Sequence, residues 1–150
     1  MSYQEKNITV SLVSFLLIVG YYLVNVVQML QQGGLVSNRL FSLWAVVIIA
    51  GIIVNIIGSI LTNIVLAIVH AIKTGGKEEE RFLEDERDKL IGLKGVRVSY
   101  VTFSIGVLIA MLTFVFGQPP LVMFSSIIFF SIAAEIMGDV SQIFLYRRGF

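Results

Sequence analysis

The stretch that decides the fold is "LFSLWAVVIIAGIIVNIIGSILTNIVLAIVHAI", residues 40–72, which contains no Asp, Glu, Lys or Arg. A helix crosses the roughly 30 Å hydrocarbon core of a bilayer with about 20 mostly apolar residues, at about 1.5 Å per residue. Residues 40–72 would extend about 50 Å as one helix, so they can cross a membrane and project beyond it. The stretch therefore predicts an integral membrane protein.

Three further stretches meet the same requirements, residues 8–30, 98–116 and 121–146. The 150-residue chain is 57% hydrophobic and 14% charged, whereas soluble domains are about 45–50% apolar and about 25% charged. The mean hydropathy is +0.90. We predict an all-α, polytopic membrane protein, a single domain over residues 1–150 whose four transmembrane helices pack as a bundle.

Basic residues are concentrated on one side of this predicted topology. Residues 73–97 hold seven Lys and Arg, and the tail adds Arg147 and Arg148, whereas the segment between the first two spans holds only Arg39 and the segment "GQPP" holds none. Lys and Arg near span ends favour the cytoplasmic side. We expect a multi-pass protein of the cell membrane, with both termini and the 73–97 loop in the cytoplasm.

The 73–97 loop has two interpretations. Arg81, Asp85 and Lys89 follow i, i+4 spacing, which predicts a short cytoplasmic helix between spans 2 and 3. That helix is either a solvated element at the membrane surface or a docking element for a cytoplasmic protein, presenting Asp85, Glu86, Arg87 and Asp88. Seven acidic residues balance the seven basic ones, so direct binding to nucleic acid is not expected.

The last span carries two carboxyl groups, Glu135 and Asp139, one helical turn apart. A charged side chain at the bilayer centre costs about 2.5 to 3.5 kcal/mol, and such residues usually face the bundle interior. No Lys or Arg lies within the spans, so we expect at least one carboxyl to be protonated or to bind a cation. Asn63 is predicted at the depth of Asp139 and is its first candidate partner, and Gln142 extends the same polar face. The alternative is a pair of neutral groups that only hold the helices in register.

Small residues mark a second feature of the spans. In the third span they recur at helical spacing, which predicts a close contact with another helix, at Ser99, Thr102, Gly106, Ala110, Thr113 and Gly117.

Catalytic and metal chemistry has little support in the sequence. The chain has no cysteine and one histidine, which excludes disulfides and thiolate sites and disfavours a multi-histidine metal site. It contains no nucleophile elbow, zinc-binding helix or Gly-rich phosphate loop. We predict no enzymatic activity, no cofactor and no metal.

Two segments, "EDERDKLIGLKGVRVSY" (84–100) and "AEIMGDVSQIFLYRRG" (134–149), resemble a family of small four-span prokaryotic membrane proteins of unknown function. The matching positions are Asp85 to Asp88, Lys94, Glu135, Gln142 and Tyr146 to Gly149. Asp139 departs from the family's pattern. The resemblance implies a four-span fold and a tendency to occur beside small helix-turn-helix regulators, and hence a transcriptional regulator as partner.

Two functions are therefore predicted as alternatives. The first is a membrane regulator or sensor that acts on a cytoplasmic partner through residues 73–97. The second is a small proton- or cation-coupled transporter or channel that uses Glu135 and Asp139, as a homo-oligomer because four helices enclose little space. A purely structural role for the carboxyl groups is the third possibility.

Overall fold

The computed structural model describes residues 3–74 and 86–148; side chains are described in 4–57 and 86–148 and, within the second helix, at Ile60, Ile64 and Ile68. Four α-helices make up the described residues: α1 (Tyr3–Gln31), α2 (Ser37–Thr74), α3 (Glu86–Val115) and α4 (Pro120–Arg147). All four contain a segment that is long and apolar enough to cross a membrane. The predicted all-α, four-span architecture is confirmed at this level, and the chain is a multi-pass membrane protein.

Two glycine turns separate the helices at one end of the molecule, called here the turn end. Gly117 ends α3 with φ of +81°, and the amides of Gly117 and Gln118 donate to the carbonyls of Phe114 and Thr113. This is a Schellman motif, in which only glycine adopts the left-handed conformation without a steric cost. Pro120 then begins α4. An N–H group at the first position of a helix has no partner within the helix, so proline, which lacks this group, costs no hydrogen bond there.

The helices pack in the order α3, α4, α1, α2. α3 lies along α4, α4 packs against α1, and α1 packs against α2, while α2 also reaches α4. One such α2–α4 contact joins Phe41 and Phe124, whose ring centroids lie 5.8 Å apart. Among the residues described, α3 makes no backbone contact with α1 or α2. α4 is therefore the helix through which α3 is attached.

Small residues bring α3 and α4 close together. A methyl group on Gly106 would overlap the Cβ and ring of Phe130, and one on Gly138 would overlap the Ser99 side chain. Ala110 is fully buried on the same side of α3. The predicted close contact of the third span is confirmed, and its partner is α4.

The remaining core joins α1, α2 and α4. Phe15, Tyr22 and Met29 recur every seven residues on α1 and are buried; they pack with Leu40, Leu43, Val47, Ile128 and Ile132. The Tyr22 hydroxyl donates to the Ser125 carbonyl at 2.6 Å and lies 2.6 Å from the Ser125 hydroxyl. Because lipid offers no competing donors, this buried bond fixes the height of α1 against α4.

The start of α3 differs from the predicted separate helix. Glu86 to Arg97 are continuous with the third span, whereas the sequence predicts a short helix separate from that span. Ile91 is fully buried and Gly95 lies against Gln142 of α4, so packing against α4 stabilises these turns as helix. Residues 75–85 lie outside the described part of the chain.

We predict that Gly106→Ala destabilises the protein by about 1–3 kcal/mol. The added methyl group would overlap the Cβ and Cγ atoms of Phe130, which lie close to the backbone and cannot move aside by a rotation of the side chain. Gly20→Ala is the matched control, since a methyl group there meets nothing within 4 Å and alanine favours a helix. The free energy of unfolding of the purified chain in detergent measures both. Equal effects of the two substitutions would contradict the close α3–α4 contact.

Candidate functional site

Asp139 is the buried acidic residue of α4. Only 9% of it is exposed, and it lies directly after Gly138, against which the Ser99 side chain of α3 packs. The Ser11 hydroxyl of α1 lies beside the Asp139 carboxyl as a hydrogen-bond donor. Among the described residues, the Asp139 Oδ2 atom has no hydrogen-bond partner. One carboxyl oxygen is thus buried between helices without a donor, and a proton or a cation would satisfy it.

Glu135 lies in different surroundings, although it is one turn from Asp139. It is exposed and lines an open groove of about 350 Å³ formed by α1, α2 and α4. The groove has apolar walls and two neutral polar residues, Asn55 and Ser131. Their side chains bond to carbonyls of their own helices, Asn55 to Gly51 at 3.0 Å and Ser131 to Ile128 at 2.7 Å. Both carboxyls were expected to be buried in the bundle; that of Asp139 is buried, whereas Glu135 is exposed in the groove.

The two other residues predicted for this site have different outcomes. Gln142 is half-buried and its side chain lies over Gly95, filling the space that a Cβ would need. It therefore belongs to the α3–α4 contact. The Asn63 side chain lies outside the described residues, so the Asn63–Asp139 pair stays a prediction.

Three of the predicted docking residues, Glu86, Arg87 and Asp88, lie at the other end of the molecule, called here the terminal end, where α1 and α3 begin and α4 ends. Glu86 and Arg87 are exposed, and Asp88 is half-buried. The Tyr146 hydroxyl of α4 donates to the Asp88 carboxylate at 2.8 Å. Asp85 lies outside the described residues.

Tyr146 also reaches α1, where its hydroxyl oxygen lies 2.5 Å from the side-chain amide of Gln4. One hydroxyl hydrogen cannot serve both acceptors. The two ends of a Gln amide are interchangeable in position. Both contacts of the Tyr146 hydroxyl are therefore hydrogen bonds if the Gln4 amide N–H donates to Tyr146 and Tyr146 donates to Asp88. We call Gln4, Asp88 and Tyr146 the clasp, since they join three helix ends.

An ion pair lies next to the clasp. The Arg147 guanidinium is 3.5 Å from the Glu5 carboxylate, and the Glu5 side chain is 10% exposed whereas that of Arg147 is 69% exposed. Exposure of one partner limits what the pair contributes to stability. The ion pair nevertheless joins the start of α1 to the end of α4.

Sequence reasoning missed the clasp, although a signal for it exists. Asp88 and Tyr146 are equally far in sequence from Gly117, and in an antiparallel helix pair such residues lie at the same height. Within the part of the chain that is described, no group of three His, Cys, Asp or Glu side chains could hold a metal ion.

Comparison with known proteins gives no match to a protein-family model, a curated protein or a solved structure. The resemblance of residues 84–100 and 134–149 to a four-span family stays a prediction. The arrangement around Asp139, Glu135 and the clasp therefore carries the functional interpretation.

We predict that Ser11→Ala lowers the free energy of unfolding by about 0.5–1.5 kcal/mol, because it removes the donor beside the buried Asp139 carboxyl. Ser14→Ala is the matched control one turn away on α1, since the Ser14 hydroxyl donates to the Val10 carbonyl of its own helix at 2.9 Å. Unfolding of both variants is measured in the same detergent. A loss at Ser14 as large as that at Ser11 would contradict the assigned contact.

Proposed function

We propose that this chain is a membrane regulator or sensor without enzymatic activity, which acts on a cytoplasmic protein through residues 73–97. In this proposal it is a multi-pass protein of the cell membrane with both termini in the cytoplasm, as its Lys and Arg distribution favours. The partner suggested by the family resemblance is a transcriptional regulator. Asp85, Glu86, Arg87 and Asp88 form the docking segment.

The observation that carries the proposal is the hydrogen bond between Tyr146 and Asp88. It joins the proposed docking segment to α4, the helix on which Glu135 and Asp139 lie. Tyr146 is about two turns from Asp139, or about 10 Å along α4. A rotation or shift of α4 relative to α3 would displace the Tyr146 hydroxyl from Asp88. This movement would weaken or break their bond, because a hydrogen bond tolerates only tenths of an ångström and limited bending.

Asp139 supplies a reason for α4 to move. Its buried Oδ2 atom lacks a partner among the described residues, and an unsatisfied buried acceptor raises the free energy of the arrangement that contains it. Protonation of this oxygen, binding of a cation to it or its removal would lower this cost. Each would therefore shift the equilibrium between two positions of α4 against α1. The signal in this proposal is therefore a small chemical change within the membrane.

We predict that Asp139→Asn changes amide hydrogen exchange in residues 86–97 of the full chain in lipid nanodiscs, and that Tyr146→Phe suppresses this effect. The amide replaces the unpartnered oxygen with a donor of similar shape, which alters how α4 packs on α1. Without its hydroxyl, residue 146 cannot transmit the shift to Asp88. Exchange is measured by mass spectrometry on the wild type, both single variants and the double variant.

The matched control is Tyr100→Phe, since Tyr100 is on α3 and is 71% exposed. The Asp139→Asn effect on residues 86–97 should persist in that background. An effect that is the same with and without the Tyr146 hydroxyl would contradict the route through the clasp.

A second candidate function is proton- or cation-coupled transport, in a homo-oligomer. The observation that favours it is the open groove lined by Glu135, Asn55 and Ser131, with the buried Asp139 one turn further along α4. Charged residues beside a cavity in a membrane often mark an ion pathway. In this candidate, the exposed Glu135 would exchange a proton with the groove, and the buried Asp139 would pass it further into the bundle.

For this candidate we predict that Glu135→Gln and Asp139→Asn each reduce proton or cation flux at least about tenfold in vesicles that contain the purified chain, since each removes an ionisable group from the pathway. Glu86→Gln, at an exposed position at the start of α3, is the matched control and should leave flux unchanged. Flux that does not respond to either substitution in α4 would exclude the transport function.

A further inference from the structure

A polar groove lies between α1 and α2 at the turn end, away from Asp139 and the clasp. It has a volume of about 400 Å³. Its polar lining consists of two hydroxyl groups, three side-chain amides and one guanidinium, from Tyr21, Ser42, Asn25, Gln28, Asn38 and Arg39. Tyr21 and Gln28 are both exposed in this groove.

The charge of the groove is positive, and none of the described residues that line it is acidic. Arg39 is the one Asp, Glu, Lys or Arg residue in 7–72, and residues 98–134 have none. The Arg39 guanidinium donates to the Gln32 side-chain carbonyl at 2.6 Å, but a neutral acceptor leaves the charge uncompensated. The turn end is therefore a surface with one fixed positive charge and a set of neutral hydrogen-bonding groups.

This chemistry selects an anion that carries further hydrogen-bonding groups. A planar guanidinium binds the paired oxygens of a phosphate, and the amides of Gln28 and Asn38 are placed to bind its neighbouring oxygens or hydroxyls. A zwitterionic headgroup would also bring an ammonium group, for which the groove has no carboxylate. The charge balance thus favours a headgroup whose net charge is negative.

The shape of the groove favours a lipid over a free ion. Its polar residues lie next to apolar ones, Met29, Leu43 and Val46, so one region suits a headgroup and the next suits an acyl chain. Arg39 lies in the first turn of α2, the height at which a membrane-spanning helix meets the phosphate layer.

We propose that this groove is a binding site for an anionic glycerophospholipid, with Arg39 on the phosphodiester. The site is independent of the proposed regulatory function, since it shares no residue with the clasp or with the Glu135 groove. The proposed ligand is thus a lipid from the leaflet at the turn end of the protein.

The test uses the full chain in detergent and native mass spectrometry, with phosphatidylglycerol and phosphatidylcholine as the added lipids. Wild-type protein should retain phosphatidylglycerol in preference to phosphatidylcholine. Arg39→Gln should weaken retention of phosphatidylglycerol at least about fivefold, as expected for one basic residue near a membrane surface. Arg39→Lys, which keeps the charge, should retain part of the preference.

Arg148→Gln is the matched control, because Arg148 is an exposed cation at the terminal end, where it lies over the Phe144 ring at 4.2 Å. It removes the same charge and should leave the preference intact. Equal losses from Arg39→Gln and Arg148→Gln, or no preference between the two lipids in the wild type, would overturn the site. Displacement of phosphatidylglycerol by an equal concentration of glycerol phosphate would overturn the lipid as its occupant.

Gln28→Leu provides a second readout if Arg39→Gln fails to fold. It removes an exposed groove amide and leaves Arg39 in place. Retention of phosphatidylglycerol should fall while that of phosphatidylcholine stays the same. An unchanged lipid preference in a folded Gln28→Leu protein would overturn the assignment of the groove.

Discussion

The close approach of α3 to α4 is the constraint on which the rest of the arrangement depends. It requires small residues, because a side chain at Gly106 would occupy the space of Phe130. Lipid is as apolar as leucine, so helices in a membrane associate by close packing and hydrogen bonding. The contact also sets the height of α3 along α4 and thereby brings Asp88 beside Tyr146. Without it, α3 would have no attachment to the other described helices.

Hydropathy was sufficient to predict the four spans, since each must be long and apolar to cross a bilayer. It could not predict their order, because a helix in lipid is apolar on its inner and outer faces alike. Glu135 and Asp139 show the same limit. They are one turn apart on α4, and the packing of the neighbouring helices determines that one is buried and the other is exposed. The i, i+4 spacing of Arg81, Asp85 and Lys89 predicted a separate short helix before the third span. The residues from Glu86 onward are instead continuous with that span, and Gly95 packs against Gln142.

The two ends of the molecule differ in chemistry. The terminal end joins three helices through Gln4, Asp88 and Tyr146 and carries the charged residues next to them. Among the described residues, the turn end holds one cation, Arg39, beside neutral polar groups. Between them, Asp139 has a buried oxygen without a partner among the described residues. In the proposed regulator, a chemical change at Asp139 acts on α4, and the clasp conveys it to the start of α3.

The coupling energy between Tyr146 and Asp88 tests this account most directly. It is measured by a double-mutant cycle of Tyr146→Phe and Asp88→Ala, from the free energies of unfolding of the full chain in one detergent. The account predicts a coupling of about 0.5–1.5 kcal/mol, and a coupling near zero for the same cycle with the exposed neighbour Glu86→Ala. Additive effects of Tyr146→Phe and Asp88→Ala would contradict it, because the start of α3 would then not be joined to α4 through the clasp.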